Sequence, residues 1–85
     1  MQVKFHKKFV KKLNKLSPKI QNIFYIKLEM FLKNKFDNSL NNHKLKGAYK
    51  HRRSIDILGD LRAIFEERDN KIIFVLMGTH SELYK

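Results

Sequence analysis

Eighty-five residues suffice for one small domain, 1–85, built on a single core. The chain has no cysteine, so disulfides and thiolate metal sites are excluded, and its longest apolar run, Ile72 to Met77, is far too short to span a bilayer. The formal charge of +11 is unevenly spread: fifteen of the nineteen Lys+Arg but only two of the eight Asp+Glu lie in residues 1–53, leaving that segment at +13 and the remainder at −2. Such a concentration of cations is the footprint of a polyanion binder, with nucleic acid the first candidate and an acidic protein the second. A lysine face that merely keeps the chain in solution is the plain alternative. The basic start, MQVKFHKKFVKK, leads into no apolar stretch, so no secretory signal is read there. A soluble, cytoplasmic protein without a membrane partner is expected.

The segment QVKF alternates apolar and polar and predicts a short first strand. Phe5, Phe9, Leu13 and Leu16 then fall at helical spacing, a narrow apolar stripe on a lysine-covered helix. Ser17-Pro18 marks the next start, because serine is a good helix cap and proline suits the first helical position. The helix that follows carries Ile20, Ile23, Phe24, Leu28 and Phe31 on one face, with Tyr25, Ile26 and Met30 on a second flank. Residues 34–49 are rich in Asn and Lys and read as a loop, with room for one helical turn at Asn38 to Leu40. Beyond them the pattern changes. HRRSIDI sends Ile55 and Ile57 inward and Ser54 and Asp56 to the opposite face, Leu58-Gly59-Asp60 is a tight connection, and LRAIFEER is the next strand. Asp69-Asn70 turns the chain into KIIFVLMG, a strand apolar on both faces and therefore central. The order β-α-α-β-β-β predicts an α+β fold, a helical hairpin packed on an antiparallel sheet.

Three widely spaced glycines make no phosphate-cradling loop. The histidines at 6, 43, 51 and 80 lack the spacing of a zinc set, and no serine–histidine–acid arrangement is present. What remains is a polar set in the strand half and at its entrance: His43, Lys50, His51, Arg52, Arg53, Asp56, Asp60, Arg62, His80 and Tyr84. These residue types suit RNA cleavage in which the 2′-hydroxyl attacks the adjacent phosphate without a metal. Histidine can carry a proton in either direction near neutrality. Arginine forks onto phosphate oxygens, and a carboxylate can act as base or orient a neighbour. Each also has an ordinary reading. Asp60 fits its turn for local hydrogen bonding alone. Arg62 and Glu66 suit exposed cross-strand positions, His43 a solvated loop, and Tyr84 an anchor for the tail. His6 and His51 are assigned no role.

The second half, HKLKGAYKHRRSIDILGDLRAIFEERDNKIIFVLMGTHSELYK, resembles the RelE/ParE toxin superfamily, and most of all the YafQ-like mRNA interferases of bacterial type II toxin–antitoxin systems. The matching elements are His43, Leu45 and Gly47, an aromatic at Tyr49, Arg53, the turn Gly59-Asp60 with Arg62, and the terminal Gly78-Thr79-His80 with Leu83 and Tyr84. The first half matches in pattern only. The resemblance implies a RelE-like fold and a ribosome-dependent endoribonuclease needing no cofactor. Its partners would be mRNA on the ribosome, ribosomal RNA, and a cognate antitoxin through which the complex binds operator DNA. By position, His43, Asp60 and His80 would form the acid/base set, with His80 the general acid. Arg53 and Arg62 would hold the phosphate, Lys50 would add to substrate binding, and Tyr84 would stack on a base. Asp56 stands where the best-known branch has a histidine, which shifts that position toward base or orienter.

Two other functions stay open at this stage. A ParE-like toxin would act on DNA gyrase without cutting RNA, and toxins of that kind lack the acid/base cluster. An inactive, RNA-binding member would have lost activity with Asp56.

Overall fold

The computed structural model describes residues 2–47 and 51–83. Strand β1 (Gln2–Phe5) leads into helix α1 (Lys7–Lys15) and then α2 (Pro18–Lys33). A 3-10 turn at Asn38–Leu40 and a two-residue strand β2 (His43–Lys44) follow. The chain then runs through β3 (Arg52–Leu58), β4 (Leu61–Arg68), β5 (Lys71–Thr79) and a terminal helical turn, α3 (His80–Leu83). The α+β architecture read from the sequence is the one observed.

The helix starts have local causes. His6 is extended and its Nδ1 accepts the Lys8 N–H at 3.1 Å, so this histidine caps α1. Ser17 caps α2 by accepting the Ile20 N–H at 3.3 Å, with Pro18 occupying the first helical position. The hairpins are set by turn chemistry as well. Asp69 and Asn70 both adopt positive φ, 50° and 63°, the arrangement that matches the twist of flanking strands. Gly59 opens the β3–β4 turn at φ 53°, a conformation that disfavours residues with a Cβ.

The sheet order is β1-β5-β4-β3-β2. Pairing is antiparallel except at one edge, where β1 lies parallel to β5 with Val3 beside Ile72 and Phe5 beside Phe74. The purely antiparallel expectation fails there because the helical hairpin carries the chain across the sheet to the far edge. The last strand therefore arrives beside the first, running the same way. Strand β2 lies in the segment whose composition predicts a loop; two residues are too short to show an alternation, and pairing with β3 alone defines it.

The helices cover one face of the sheet. Phe9 and Leu13 from α1 and Phe24 and Phe31 from α2 pack on Ile55, Ile57, Phe65, Ile72, Phe74 and Met77. Phe74 is the hub: its ring centroid lies 5.4–6.1 Å from those of Phe5, Phe9, Phe24, Phe31 and Phe65. Contacts of this kind add about 0.5–1.5 kcal/mol each beyond simple burial. The other face carries a smaller apolar cluster of Leu45, Ile64 and Val75, flanked by Ile73, Leu76 and Leu83. A bulge in β5 makes this possible. Phe65 pairs with Phe74 and Ile64 with Leu76, so Val75 is the extra residue and joins Leu76 on the outer face. Central β5 is thus covered on both sides, as its continuous apolar run predicts.

Candidate active site

The face away from the helices collects most of the chemistry. His43 pairs with Ser54 across β2–β3, and Asp56 with Arg62 across β3–β4. Because side chains alternate along a strand, His43, Ser54, Asp56 and Arg62 all emerge on this side. Asp60 sits in the β3–β4 turn, and His80 opens α3 at the end of β5.

These residues form one connected chain. The His43 Nδ1 lies 2.8 Å from the Asn41 carbonyl oxygen. A carbonyl can only accept, so Nδ1 carries the proton, and in the neutral ring Nε2 holds the lone pair. Asn41 also donates from Nδ2 to Asp56 Oδ2 at 3.2 Å. Its left-handed backbone, φ 49°, turns the carbonyl and side chain toward different partners. Arg62 stands between two carboxylates, with Nε 3.9 Å from Asp56 Oδ1 and Nη2 3.9 Å from Asp60 Oδ1. Neither contact is short enough to be a hydrogen bond, so the guanidinium is held by charge while its N–H groups keep their capacity for phosphate. Asp60 closes the chain by accepting the His80 backbone N–H on Oδ2 at 3.1 Å. One histidine therefore stands at each end, with an arginine flanked by two aspartates between them.

The position of His80 is fixed from behind. Thr79 and Glu82 form a reciprocal capping box: the Thr79 N–H donates to Glu82 Oε1 at 2.8 Å, and the Glu82 N–H reaches Thr79 Oγ1 at 3.4 Å. The other Glu82 oxygen meets Lys12 Nζ at 2.8 Å, tying α3 to α1. The Lys12 ammonium first, and the Thr79 N–H second, hold the Glu82 carboxyl down at about 2. Gly78 is extended rather than turned. A Cβ there would stand 3.2 Å from Glu82 Oε1 and 3.4 Å from Leu83 Cδ2, so its absence lets α3 fold back closely. His80 is thus a helix-start residue, placed directly after β5 ends at Thr79.

Other expected members stand elsewhere. Arg53 shares the helix-side face with Ile55 and Ile57. Its Nε donates to Asn42 Oδ1 at 2.7 Å and its Cζ lies 5.4 Å from the Phe36 ring centroid. It does not join Asp56 and Arg62. Arg52 emerges on the outer face, where its Nε donates to Glu66 Oε2 at 2.8 Å and keeps that carboxyl below its usual range. Lys50, Tyr49 and Tyr84 lie outside the described residues. Asn41 and the Thr79–Glu82 pair stand outside the polar set that the sequence singles out, although the T-x-x-E spacing of the capping box is visible in the sequence. Among the described residues, no group of three or more His, Asp or Glu converges as a metal-ligand set. No helix there is long and apolar enough to cross a membrane.

A small sheet with a helical hairpin on one face is the fold of the compact toxins of the RelE type. The fold matches YafQ from E. coli strain BL21(DE3) with a TM-score of 0.80 at 20% identity, covering 99% of this chain and 98% of that one. It matches the E. coli DinJ-YafQ toxin-antitoxin complex with a TM-score of 0.75 at 23% identity, over 99% and 97% of the two chains. The YoeB/ParE toxin from Agrobacterium tumefaciens follows with a TM-score of 0.77 at 10% identity, over 94% and 99%. No curated protein sequence matches significantly. The family model for the bacterial toxin of type II toxin-antitoxin systems, YafQ, matches residues 1–85, and the chain belongs to that family.

Proposed function

We propose that this toxin is a ribosome-dependent mRNA endoribonuclease, and that a cognate antitoxin neutralises it. The observation that carries the reading is the connected chain from His43 through Asn41, Asp56, Arg62 and Asp60 to His80. RNA cleavage by 2′-hydroxyl attack needs a base, a cation at the phosphate and an acid at the leaving 5′ oxygen. His43, with its lone pair on Nε2, takes the 2′ proton. Arg62 stabilises the charge that builds on the phosphorane oxygens. His80, as imidazolium, protonates the departing oxygen. Asp56 and Asp60 orient Arg62, and Asp60 also holds the backbone of His80.

The +13 segment supplies long-range attraction to ribosomal RNA, so association should weaken steeply with salt. The same charge suits an acidic antitoxin, and the relatedness to YafQ, found in complex with DinJ, supports such a partner. Repression of the operon through antitoxin-bound operator DNA and a cytoplasmic location follow from this reading.

The test is induction in cells with mapping of mRNA 5′ ends, beside His43→Ala and His80→Ala. Codon-phased cuts abolished by either substitution support the enzyme. Growth arrest with intact mRNA and altered supercoiling would overturn it in favour of a gyrase-directed toxin. Harmless expression of the wild-type chain would point to an inactive member.

A further inference from the structure

Arg53 is set apart from the catalytic chain, and its surroundings form a site of their own. Beyond the end of α2, on the helix side of the β3–β2 edge, lies a cavity of about 210 Å³. Lys35, Phe36, Lys44, His51, Arg53 and Glu67 line it, together with the Glu66-bound Arg52. Four of these side chains carry a permanent positive charge. The one carboxylate, Glu67, is already engaged by Lys35 Nζ at 3.0 Å. Phe36 is 58% exposed, unusual for a phenylalanine, and carries a cation at each of two contacts: Arg53 Cζ at 5.4 Å and Lys35 Nζ at 5.5 Å from the ring centroid. The Arg53 guanidinium is further fixed by its Nε bond to Asn42, a bond that leaves its two terminal amino groups uninvolved.

We propose that this cavity is a second phosphodiester-binding subsite for single-stranded RNA, gripping the backbone a few nucleotides from the bond cut on the opposite face. The inference rests on the RNA-cleaving reading and extends it. Its geometric basis is β2, the last strand of the sheet. His43 and Lys44 are consecutive there, so His43 faces the catalytic chain while Lys44, paired with Arg53, faces the cavity. An RNA strand passing around this edge meets both in succession. Several cations around an exposed aromatic ring suit a nucleotide, whose phosphate takes the Arg53 fork while its base lies against Phe36 or the guanidinium plane. An acidic peptide would use the charges and leave Phe36 without a purpose.

The test measures binding of the purified protein, by fluorescence anisotropy, to 2′-O-methyl RNA, which resists 2′-hydroxyl attack, as a dinucleotide and as a ten-mer. Arg53→Met, Lys44→Gln and Phe36→Ala are compared with wild type and with His43→Ala. Each cavity variant should bind the ten-mer about tenfold more weakly and leave the dinucleotide unchanged, and removing a cation should lower the salt slope by about 0.7–1. His43→Ala, in the cleavage site, should weaken the dinucleotide and the ten-mer alike. Lys44→Gln, at an exposed position, covers the case in which Arg53→Met fails to fold. Equal losses on dinucleotide and ten-mer in the cavity variants would merge the cavity with the cleavage site and overturn the proposal. Unchanged RNA binding with lost binding of a polyglutamate peptide would assign the cavity to a protein partner instead. Because no cleavage is read, the result stands apart from the nuclease activity itself.

Discussion

Arg62 is the hinge of the proposed chemistry, and replacing it separates charge from geometry. Arg62→Met keeps the length of the side chain and removes the cation between Asp56 and Asp60. At 3.9 Å two unit charges attract by about 1 kcal/mol in bulk water and about 4 kcal/mol at an effective dielectric of 20. The Arg62 side chain is 26% exposed and its partners 35% and 56%, so solvent screening places the pair energies near the lower figure. The combined loss should be about 1–2 kcal/mol, or about 5–15 °C in Tm for a domain of this size, and should shrink at high salt. Activity should fall much further, by about 100- to 1,000-fold, as for loss of one donor to a developing oxyanion. Arg62→Lys should recover most of the stability, since the charge remains, and little of the rate, since the fork is lost. Calorimetry and ribosome-bound mRNA cleavage measure the two quantities. Wild-type cleavage by Arg62→Lys would refute the fork, and wild-type cleavage by Arg62→Met would remove Arg62 from the mechanism.

Two further substitutions probe the supports around the site. Glu82 has its carboxyl lowered to about 2 from an ordinary 4.5, so its contribution is present above about pH 4.5 and lost as pH falls toward about 2. Glu82→Gln should therefore melt below wild type at neutral pH and converge with it near pH 2; a gap constant across that range would show that the ion pair with Lys12 is irrelevant. Ser54 is fully buried on the site face, and its Oγ has no hydrogen-bond partner among the described residues. Removing an unsatisfied buried hydroxyl relieves about 1 kcal/mol or more, so Ser54→Ala should raise Tm by about 4–8 °C without slowing cleavage, and a lower Tm would mean the hydroxyl is in use.

Much of this arrangement is legible in the sequence because its causes are local. Ser17-Pro18 starts α2, Asp69-Asn70 turns a hairpin, and the alternation of Ser54, Ile55, Asp56 and Ile57 assigns each side chain to its face. The same alternation sends Arg53 to the side of Ile55, so its separation from Asp56 could be read by parity; motif resemblance alone groups it with Arg62. What the sequence does not display depends on contacts between distant segments. Strand β2 exists only through its pairing with β3. The bond from Asn41 to Asp56 joins residues of a turn and a strand, and no spacing rule links them. The Lys12–Glu82 contact brings together two helices from opposite ends of the described chain.

The hub position of Phe74 also sets an order of assembly. Four of the rings around it, Phe5, Phe9, Phe24 and Phe31, belong to the first half of the chain, and Gln2 finds its strand partner only in Lys71. During synthesis those rings emerge long before the strand that receives them. The β3–β4 hairpin, bearing Asp56, Asp60 and Arg62, can form from neighbouring residues, but the core beneath it cannot close until β5 has been made. The polar face is therefore outlined early, while the core beneath it closes late, only once its central strand has been made.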